Sequence, residues 1–510
     1  MLRSTEIIQQ AGFGERIFTE RELAHLFGGT PARRYGLVNK ALAKNELVKI
    51  RRGVYMLAEK YRTVKLSQFF VASRIVANSY VTFESALSYH GWIPERVFMI
   101  RSAIYKGRTR TFETDLGDFN YVFLPVNELK FLNGVARQTL NGKSFFMAKP
   151  LRALADYVYY RKIKWTGIHF LLDGLRIEEE NLDMLTVADF EEVLPVFRVK
   201  PVFSFLKHLQ AEMRLTSSSR TQKMINPIIN NRLKQYSIST VEAEENALKE
   251  ILQEIILHGL YESHFFDQAI FHGGTCLRII YNLPRFSEDL DFMLKRVDLD
   301  FNWQPYQQAI IDVCKQYGIS PVIKDKSKTG YNIQKMFVKD NSIGKILELS
   351  FKHHPHKKLN IKLEIDINPP AGSTTEIKFL DFPLDFPIEI QDLPSNFASK
   401  SHALLCRSYV KGRDWYDFLW YVRQKVVPNL SLLSNAINQQ GAWAGQKIQV
   451  TPAWYIEQLE AKITSIDWDI ARKEMAPFLA PREKNTLALW NSDFFRDRLN
   501  QFKNCELFQM

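Results

Sequence analysis

A glycine pair followed at a set distance by two aspartates constrains this chain more than any other stretch. Gly273 and Gly274 come directly after an apolar run, and Asp289 and Asp291 follow Thr275 after thirteen intervening residues. The pattern predicts a strand, a tight turn, a helix and a second strand. Because side chains two residues apart on a strand point the same way, both aspartates are expected on one face of the second strand.

The residues around the turn set the predicted boundaries and suggest a ligand. The apolar run 268–271 is the first strand, a helix covers 276–283, and Pro284 ends it because proline cannot continue a helix. Backbone amides at the start of a helix bind phosphate readily, so the glycine pair and Thr275 are candidates for seating the phosphates of a nucleotide. Two carboxylates beside them suit Mg²⁺ or Mn²⁺ that bridges those phosphates.

A later segment offers a third carboxylate. Residues 359–367 alternate between apolar and polar side chains, as a strand with one buried face does. Glu364 and Asp366 therefore share the face opposite the core. On this pattern alone, either of them could complete a metal site with the two aspartates.

Basic and acidic side chains recur on two predicted helices further along the chain. A helix over 397–407 carries Lys400 and Arg407 one heptad apart on one face. Another helix begins near Arg413 and Asp414, where an acidic side chain favours the helix N-terminus. An aspartate at such a position usually caps the helix.

These segments, in this order, resemble the signature of the nucleotidyltransferase superfamily that includes DNA polymerase β. The first motif of the AbiE-type toxins, the nucleotidyltransferase toxins of bacterial abortive-infection systems, is similar to FHGGTCLRIIYNLPRFSEDLDFML. Their second motif, Lys-hydrophobic-acid-hydrophobic, favours Glu364 over Asp366. Their third is a helix with a lysine and an arginine, and their fourth, Arg-Asp-x-x-Asp, is similar to Arg413, Asp414 and Asp417.

The resemblance implies a metal-dependent transfer of NMP from an NTP to an acceptor, with release of pyrophosphate. The metal ligands would be Asp289, Asp291 and Glu364 or Asp366. The catalytic residues would be Asp289, Asp291, Lys400 and Asp414, the last either orienting Lys400 or serving as a base. The nucleotide-binding residues would be Gly273, Gly274, Thr275, Arg285, Arg407 and Arg413. The family favours tRNA as the acceptor, with another RNA or a protein hydroxyl left open.

All of the surplus positive charge of the chain lies before residue 224. Residues 1–223 contain 34 Lys and Arg against 22 Asp and Glu, whereas residues 224–510 contain 34 of each. The stretch 216–223 is polar and aperiodic, as a linker is. A chain of 510 residues also exceeds the size at which a single core stops growing. We therefore expect a domain boundary near residue 223.

The start of the chain predicts a helix-turn-helix with a wing. A short helix covers 4–11, Thr19 and Thr30 cap the second and third helices, and residues 47–57 predict a β-hairpin. A basic third helix of this kind enters the major groove of DNA, and a wing contacts phosphate. The candidates for DNA contact are Arg33, Arg34, Lys40, Arg51 and Arg52. A winged helix that binds protein instead shows the same pattern.

The N-terminal part resembles the antitoxins that are paired with AbiE-type toxins and repress their own operons. The similarity lies in FTERELAHLF and ALAKNELVKIRRGVYML, and more weakly in residues 82–92 and 149–156. We therefore expect an α+β multidomain chain with three parts. These are a winged helix-turn-helix over 1–60, an α/β antitoxin domain over 61–220, and a polymerase-β-like nucleotidyltransferase over 224–510 with a mixed sheet and a helical C-terminal part. The resemblance implies operator binding and an antitoxin–toxin contact within one chain.

Several function classes are disfavoured and two alternatives stay open. The four cysteines are scattered with no C-x-x-C, and KHHPHKK at 352–358 is typical of a solvated loop, so neither a zinc site nor disulfides are predicted. No signal sequence and no apolar stretch of ~20 residues is present, which predicts a cytoplasmic protein without membrane contact. The alternatives are a DNA-binding regulator whose second half binds nucleotide without catalysis, and a metal-dependent nuclease. AbiE partners are usually separate chains, and we interpret this chain as a natural fusion of the two. Whether Met224 is also an independent start, or two reading frames were joined, stays open on the sequence alone.

Overall fold

The chain divides into two compact units. One comprises residues 1–231, 315–319 and 345–347, and the other comprises the remainder. The structure, a computed structural model, describes residues 4–95, 97–213, 226–347, 349–351, 359–479 and 481–503. The predicted linker 216–223, Met224 and the segment 352–358 lie outside these ranges. Across the described ranges, no helix is long and apolar enough to cross a membrane.

The N-terminal 60 residues form three helices and a three-stranded antiparallel sheet. The elements are α1 (Ser4–Gln10), β1 (Ile17–Thr19), α2 (Glu20–Phe27), α3 (Pro31–Ala43), β2 (Leu47–Arg51) and β3 (Val54–Leu57), with strand order β1-β3-β2. Both predicted caps are present: Thr19 forms a capping box with Glu22, and the Thr30 hydroxyl accepts from a backbone amide of α3. Helix α3 ends at Ala43, and Asn45 just beyond it adopts a left-handed conformation, with φ of 51°.

The next part of the first unit is a six-stranded mixed sheet with six helices. The strands are β4 (Tyr80–Val81), β5 (Met99–Ile104), β6 (Arg110–Thr114), β7 (Gly117–Phe123), β8 (Val135–Leu140) and β9 (Lys143–Ala148), in the order β6-β7-β5-β4-β9-β8. The helices are α4 (Gln68–Ile75), α5 (Phe83–Tyr89), α6 (Pro150–Arg161), α7 (Glu179–Asp183), α8 (Val187–Val193) and α9 (Lys200–Glu212).

The segments that resemble the second antitoxin domain meet in one buried network. Asp156 accepts hydrogen bonds from the hydroxyls of Tyr80 at 2.9 Å and Thr82 at 2.7 Å, and from Arg152 Nε at 3.0 Å. The Arg152 and Asp156 side chains are wholly buried. A buried ion pair is tolerated only when its remaining polar atoms are also bonded, which the two hydroxyls provide here. These segments therefore hold the domain together.

The second unit is built on a seven-stranded mixed sheet. Its strands are β10 (Ala269–His272), β11 (Leu290–Leu294), β12 (Val322–Asp325), β13 (Ile333–Asp340), β14 (Leu359–Asp366), β15 (Thr375–Leu380) and β16 (Phe386–Gln391), in the order β12-β13-β14-β11-β10-β16-β15. The pairs β11–β14 and β10–β16 are parallel, and the other pairs are antiparallel.

The chain from residue 227 onward also contains helices. They are α10 (Pro227–Leu233), α11 (Val241–Glu262), α12 (Gly273–Tyr281), α13 (Gln304–Gln316), α14 (Leu393–Cys406), α15 (Gly412–Arg423), α16 (Leu430–Gln439), α17 (Pro452–Ser465), α18 (Trp468–Met475), α19 (Pro481–Lys484) and α20 (Ser492–Lys503). Helix α14 begins before the predicted position because Asp392 caps it. The last helices share a core rich in tryptophan, with Trp415, Trp468 and Trp490 packed around Phe495.

Candidate active site

The glycine pair opens helix α12 instead of forming a turn ahead of it. Gly273 has φ of +78°, and a Cβ at this position would lie 2.5 Å from Oδ2 of Asp291. A Cβ on Gly274 would lie 2.6 Å from a guanidinium nitrogen of Arg285. Glycine is required here because two charged side chains pack directly against the backbone. The helix also ends earlier than predicted, at Tyr281, where Asn282 forms a left-handed cap before Pro284 is reached.

The start of α12 is bonded within the protein. The Thr275 hydroxyl donates to the backbone carbonyl of Asp289, and its side chain is buried. The Gly273 amide donates to Oδ1 of Asn396 at 3.3 Å. Thr275 therefore ties the helix to the residue that precedes β11, and its contact with phosphate remains a prediction.

Strand register brings one particular glutamate beside the aspartates. Asp289 directly precedes β11, and Asp291 lies within it. In the parallel pairing of β11 with β14, Asp291 is the partner of Glu364, whereas Asp366 is the partner of Met293. Paired residues on neighbouring strands share a face, so Glu364 lies next to Asp291. Asp366 is on the same face of β14 but two residues further along the strand.

Two lysines neutralise this acidic cluster. Lys362 Nζ lies 3.0 Å from Asp289 Oδ2 and 2.9 Å from Glu364 Oε2, and Lys335 Nζ lies 2.8 Å from Glu364 Oε1. Burial raises the pKa of Asp289, and the charge of Asp291 raises it further. Burial would also raise the pKa of Glu364, but hydrogen bonds from the two lysines hold it below its ordinary value.

Asp291 is the carboxylate best suited to a divalent cation. Burial raises its pKa, Lys400 opposes that shift, and the charge of Glu364 adds to it. The Asp291 carboxylate has no hydrogen bond or ion pair with another described residue. A described group of three or more His, Cys, Asp or Glu that could hold a metal by itself is absent. Mg²⁺ is usually bound by one or two carboxylates plus substrate phosphates, so the oxygen donors present fit such an ion when nucleotide supplies the other ligands.

Five charged side chains beside the carboxylates alternate in sign. Arg285 Nε lies 2.7 Å from Asp417 Oδ1, and Lys400 Nζ lies 2.8 Å from Asp417 Oδ2. Asp414 then lies 3.5 Å from Lys400 and 2.5 Å from Arg407. Burial would lower the pKa of Lys400, but Asp417 and Asp414 hold it above its ordinary value. Both oxygens of Asp414 therefore serve to orient cations, which favours its orienting role over that of a base.

Two arginines predicted to contact phosphate are engaged elsewhere. Arg285 is only 1% exposed, and its guanidinium nitrogens bond both oxygens of Asp417 and the carbonyl of Phe286. Arg413 donates to Glu474 at 2.9 Å and to Glu288 at 3.3 Å. These ion pairs use the guanidinium groups to join segments of the domain, and phosphate contact by Arg285 and Arg413 remains a prediction. Arg407 remains a candidate because 24% of its side chain is exposed.

Two residues of the site carried little signal in the sequence. Asp417 was visible only as the last position of the fourth motif, yet it is the shared partner of Lys400 and Arg285. Lys411 directly precedes α15; burial lowers its pKa, nearby cations lower it further, and Asp414 opposes them. It has no ion pair with a described carboxylate, and its charge lowers the pKa of Asp291. A lysine before a helix is too common for sequence alone to identify it.

The predicted DNA-binding side chains differ in exposure. Arg33 and Arg34 donate to backbone carbonyls of the loop that precedes α3. Arg51 is half-buried and donates Nε to a carbonyl of α4 at 3.0 Å; burial, together with a neighbouring arginine, lowers its pKa. Lys40 and Arg52 are exposed. Arg51 is thus held against α4, which lies outside the N-terminal 60 residues, and its contact with DNA phosphate remains a prediction.

Comparison with known proteins separates the two parts of the chain. Residues 255–498 match the family model described as nucleotidyl transferase AbiEii toxin, Type IV TA system. No curated protein matches the chain.

Three solved structures are similar to about half of the chain. A putative nucleotidyltransferase from H. pylori shares 17% identity over 49% of this chain and 90% of its own, with a TM-score of 0.29. JHP933 from Helicobacter pylori shares 16% identity over 52% of this chain and 99% of its own, with a TM-score of 0.27. MenT4, a nucleotidyltransferase toxin from Mycobacterium tuberculosis, shares 16% identity over 55% and 99%, with a TM-score of 0.29. On the strength of the family match, residues 255–498 form an AbiEii-type nucleotidyltransferase toxin domain.

Proposed function

We propose that the C-terminal part, residues 224–510, transfers NMP from an NTP to an acceptor RNA, with tRNA as the favoured acceptor. The observation that supports this most directly is the register of β11 and β14, which brings Asp291 and Glu364 together beside Asp289. In the reaction, a bond forms between the acceptor hydroxyl oxygen and the α-phosphorus. The bond from that phosphorus to the bridging oxygen breaks, pyrophosphate leaves, and the hydroxyl proton passes to solvent.

The residues of the site would have three roles: some bind the metal, some face the phosphates, and some position other side chains. Asp289, Asp291 and Glu364 would hold Mg²⁺ or Mn²⁺, which stabilises phosphate charge and lowers the pKa of a bound hydroxyl. Lys400 and Lys411 would face the negative charge of the phosphates. Asp414 and Asp417 keep Lys400 in place.

Incubation with each α-³²P NTP, Mg²⁺ and total cellular RNA tests this function. We expect release of pyrophosphate and label attached to RNA, and tRNA should carry most of it. A metal-dependent nuclease would instead shorten the RNA without using NTP. A regulator that only binds nucleotide would do neither.

We also propose that the N-terminal 60 residues form a winged helix that binds operator DNA. Support comes from the three helices, the antiparallel sheet and the exposed cations Lys40 and Arg52 on α3 and the hairpin. We expect the double variant Lys40→Ala/Arg52→Ala to flatten the slope of log K against log salt by about 0.9 for each phosphate that the protein no longer neutralises. Binding of DNA from upstream of the gene at several salt concentrations measures this, with the exposed Lys164→Ala as the control. An unchanged slope would reassign this domain to protein binding.

We further propose that residues 1–220 restrain the toxin domain. Tethering an antitoxin to its toxin gives a high effective concentration, provided that the linker spans the two binding sites. We expect residues 224–510 expressed alone to arrest bacterial growth, the full chain to be tolerated, and Asp291→Asn to abolish the arrest by the fragment. Growth curves after induction measure this. Equal toxicity of fragment and full chain would contradict restraint, and a harmless fragment would contradict the toxin role.

A further inference from the structure

One face of the seven-stranded sheet carries a set of lysines that the catalytic roles do not use. We call it the lysine face and define it as Lys324, Lys326, Lys335, Lys339 and Lys362, grouped around Phe337. The strand register places them together. Phe337 on β13 pairs with Lys324 on β12 and with Lys362 on β14, and Lys335 pairs with Glu364.

The remaining members follow from the same register. The Lys326 amide donates to the Lys335 carbonyl at 2.8 Å, which continues the pairing of β12 with β13, and Lys339 lies two residues from Phe337. Residues directly opposite on antiparallel strands share a face, as do residues two apart. The opposite face of β13 is fixed in the core, because Met336 and Val338 are completely buried. The lysines are therefore held on the outer face.

The charges of the lysine face point to an anionic ligand. Lys335 and Lys362 reach the carboxylates of the active site. For Lys324, Lys326 and Lys339, by contrast, no carboxylate among the described residues lies within ion-pair distance. Lysine on an edge strand discourages pairing between sheets, which accounts for Lys324 on β12 and Lys326 directly after it. It does not account for those on the inner strands β13 and β14.

An aromatic ring lies in the middle of these cations. Phe337 is only partly buried, and Lys339 Nζ lies 6.0 Å from the centre of its ring. Proteins that bind single-stranded nucleic acid combine a basic surface along the backbone with aromatic rings on which bases stack. Both elements are present here, and the surface ends at Asp291 and Glu364.

We propose that the lysine face binds the single-stranded end of the acceptor RNA and guides its hydroxyl to the carboxylates. Phosphates of the strand contact the lysines, and one base stacks on Phe337. Three strand spacings of about 4.8 Å separate β12 from β11, a distance that a few nucleotides cover. This proposal rests on the proposed nucleotide transfer to RNA and adds where the acceptor lies.

The test compares acceptor and nucleotide kinetics in the full chain. In Lys324→Gln/Lys326→Gln we expect the KM for RNA to rise about tenfold, because two phosphates of the strand are no longer neutralised. For a single strand, each lost phosphate contact also reduces the slope of log affinity against log salt by about 0.7. The KM for NTP should not change. In Phe337→Leu the KM for RNA should rise about fivefold through loss of stacking. The control is Lys473→Gln/Lys484→Gln, which removes two exposed lysines of the helical part.

A binding measurement makes the result independent of turnover. Fluorescence polarisation of a labelled RNA oligonucleotide with a single-stranded 3′ end, without NTP, should show the same loss of affinity and a salt slope lower by about 1.4. Unchanged RNA affinity in the lysine variant, or an equal loss in the control, would overturn the proposal while leaving nucleotide transfer intact. Label found on protein instead of RNA would overturn it as well, whereas lysine-dependent RNA binding without pyrophosphate release would contradict only the proposed function.

Discussion

Asp291→Asn should lower the rate of nucleotide transfer by about three powers of ten or more, which corresponds to losing ~4 kcal/mol of transition-state stabilisation. The amide keeps the shape of the side chain but removes the charge that would bind the divalent ion. The fold should be preserved, because the Asp291 carboxylate has no hydrogen bond or ion pair to a described residue that the substitution would remove. Pyrophosphate release under saturating NTP and RNA measures the effect, and a thermal unfolding curve checks the fold.

Asp366→Asn is the matched control for this variant. Asp366 lies on the same face of β14 as Glu364, but its partner on β11 is Met293, which lies two residues after Asp291. If Glu364 is the third ligand, the Asp366 variant should keep most of the activity, and Glu364→Gln should lose it. Full activity in Asp291→Asn would exclude the metal site described here. Equal losses in the Asp366 and Glu364 variants would restore Asp366 as a ligand.

The second large effect is expected on stability. Asp417→Asn leaves the buried Arg285 and the partly buried Lys400 without their shared carboxylate, and breaking one side of a buried ion pair costs about 3–5 kcal/mol of unfolding free energy. The expected fall in Tm is about 10 °C for a unit of this size. Asp469→Asn is the control, since its pair with Arg472 is at the surface and 67% of its side chain is exposed. Equal shifts in the two variants would show that the buried network is not stabilising.

The difference in stability between the parent and Asp417→Asn should change with pH in a defined direction. Burial would raise the pKa of Asp417, but Arg285 and then Lys400 hold it below its ordinary value. A carboxylate with a depressed pKa contributes stability above its unfolded pKa of about 4, and this contribution is lost as the pH falls through the folded value. The gap in Tm between the parent and Asp417→Asn should therefore be wide at neutral pH and should narrow below about pH 4.

Features that depend on neighbouring residues were predicted better from the sequence than contacts between distant segments. Alternation along 359–367 put Glu364 on the face away from the core, and Thr19 and Thr30 marked helix starts, because both signals depend only on near neighbours. The sequence of β11 or of β14 taken alone does not predict that the two strands pair. It was the family resemblance that favoured Glu364, and the register agrees with that choice.

The roles of individual arginines could not be read in the same way. Arg285 stands 132 residues from Asp417, and Arg413 stands 61 residues from Glu474. A sequence shows that an arginine is present, but its partner depends on the fold that brings distant segments together. Thr275 is a similar case, because its hydroxyl bonds a carbonyl fourteen residues later and so joins two motifs that the sequence only shows in order.

Strand β14 also determines where this domain tolerates added residues. Side chains alternate along Leu359–Asp366, so one residue inserted ahead of Glu364 within the strand would turn that side chain toward the core and bring an apolar one to the site. An insertion of two residues would turn the Glu364 side chain back to the outer face, but it would shift the pairing of β14 with β11 and β13. The connection between β12 and β13 is different: residues 327–332 are exposed, and loop tips of this kind accept inserted segments. A peptide tag or a fluorescent reporter placed there would leave the carboxylates where they are.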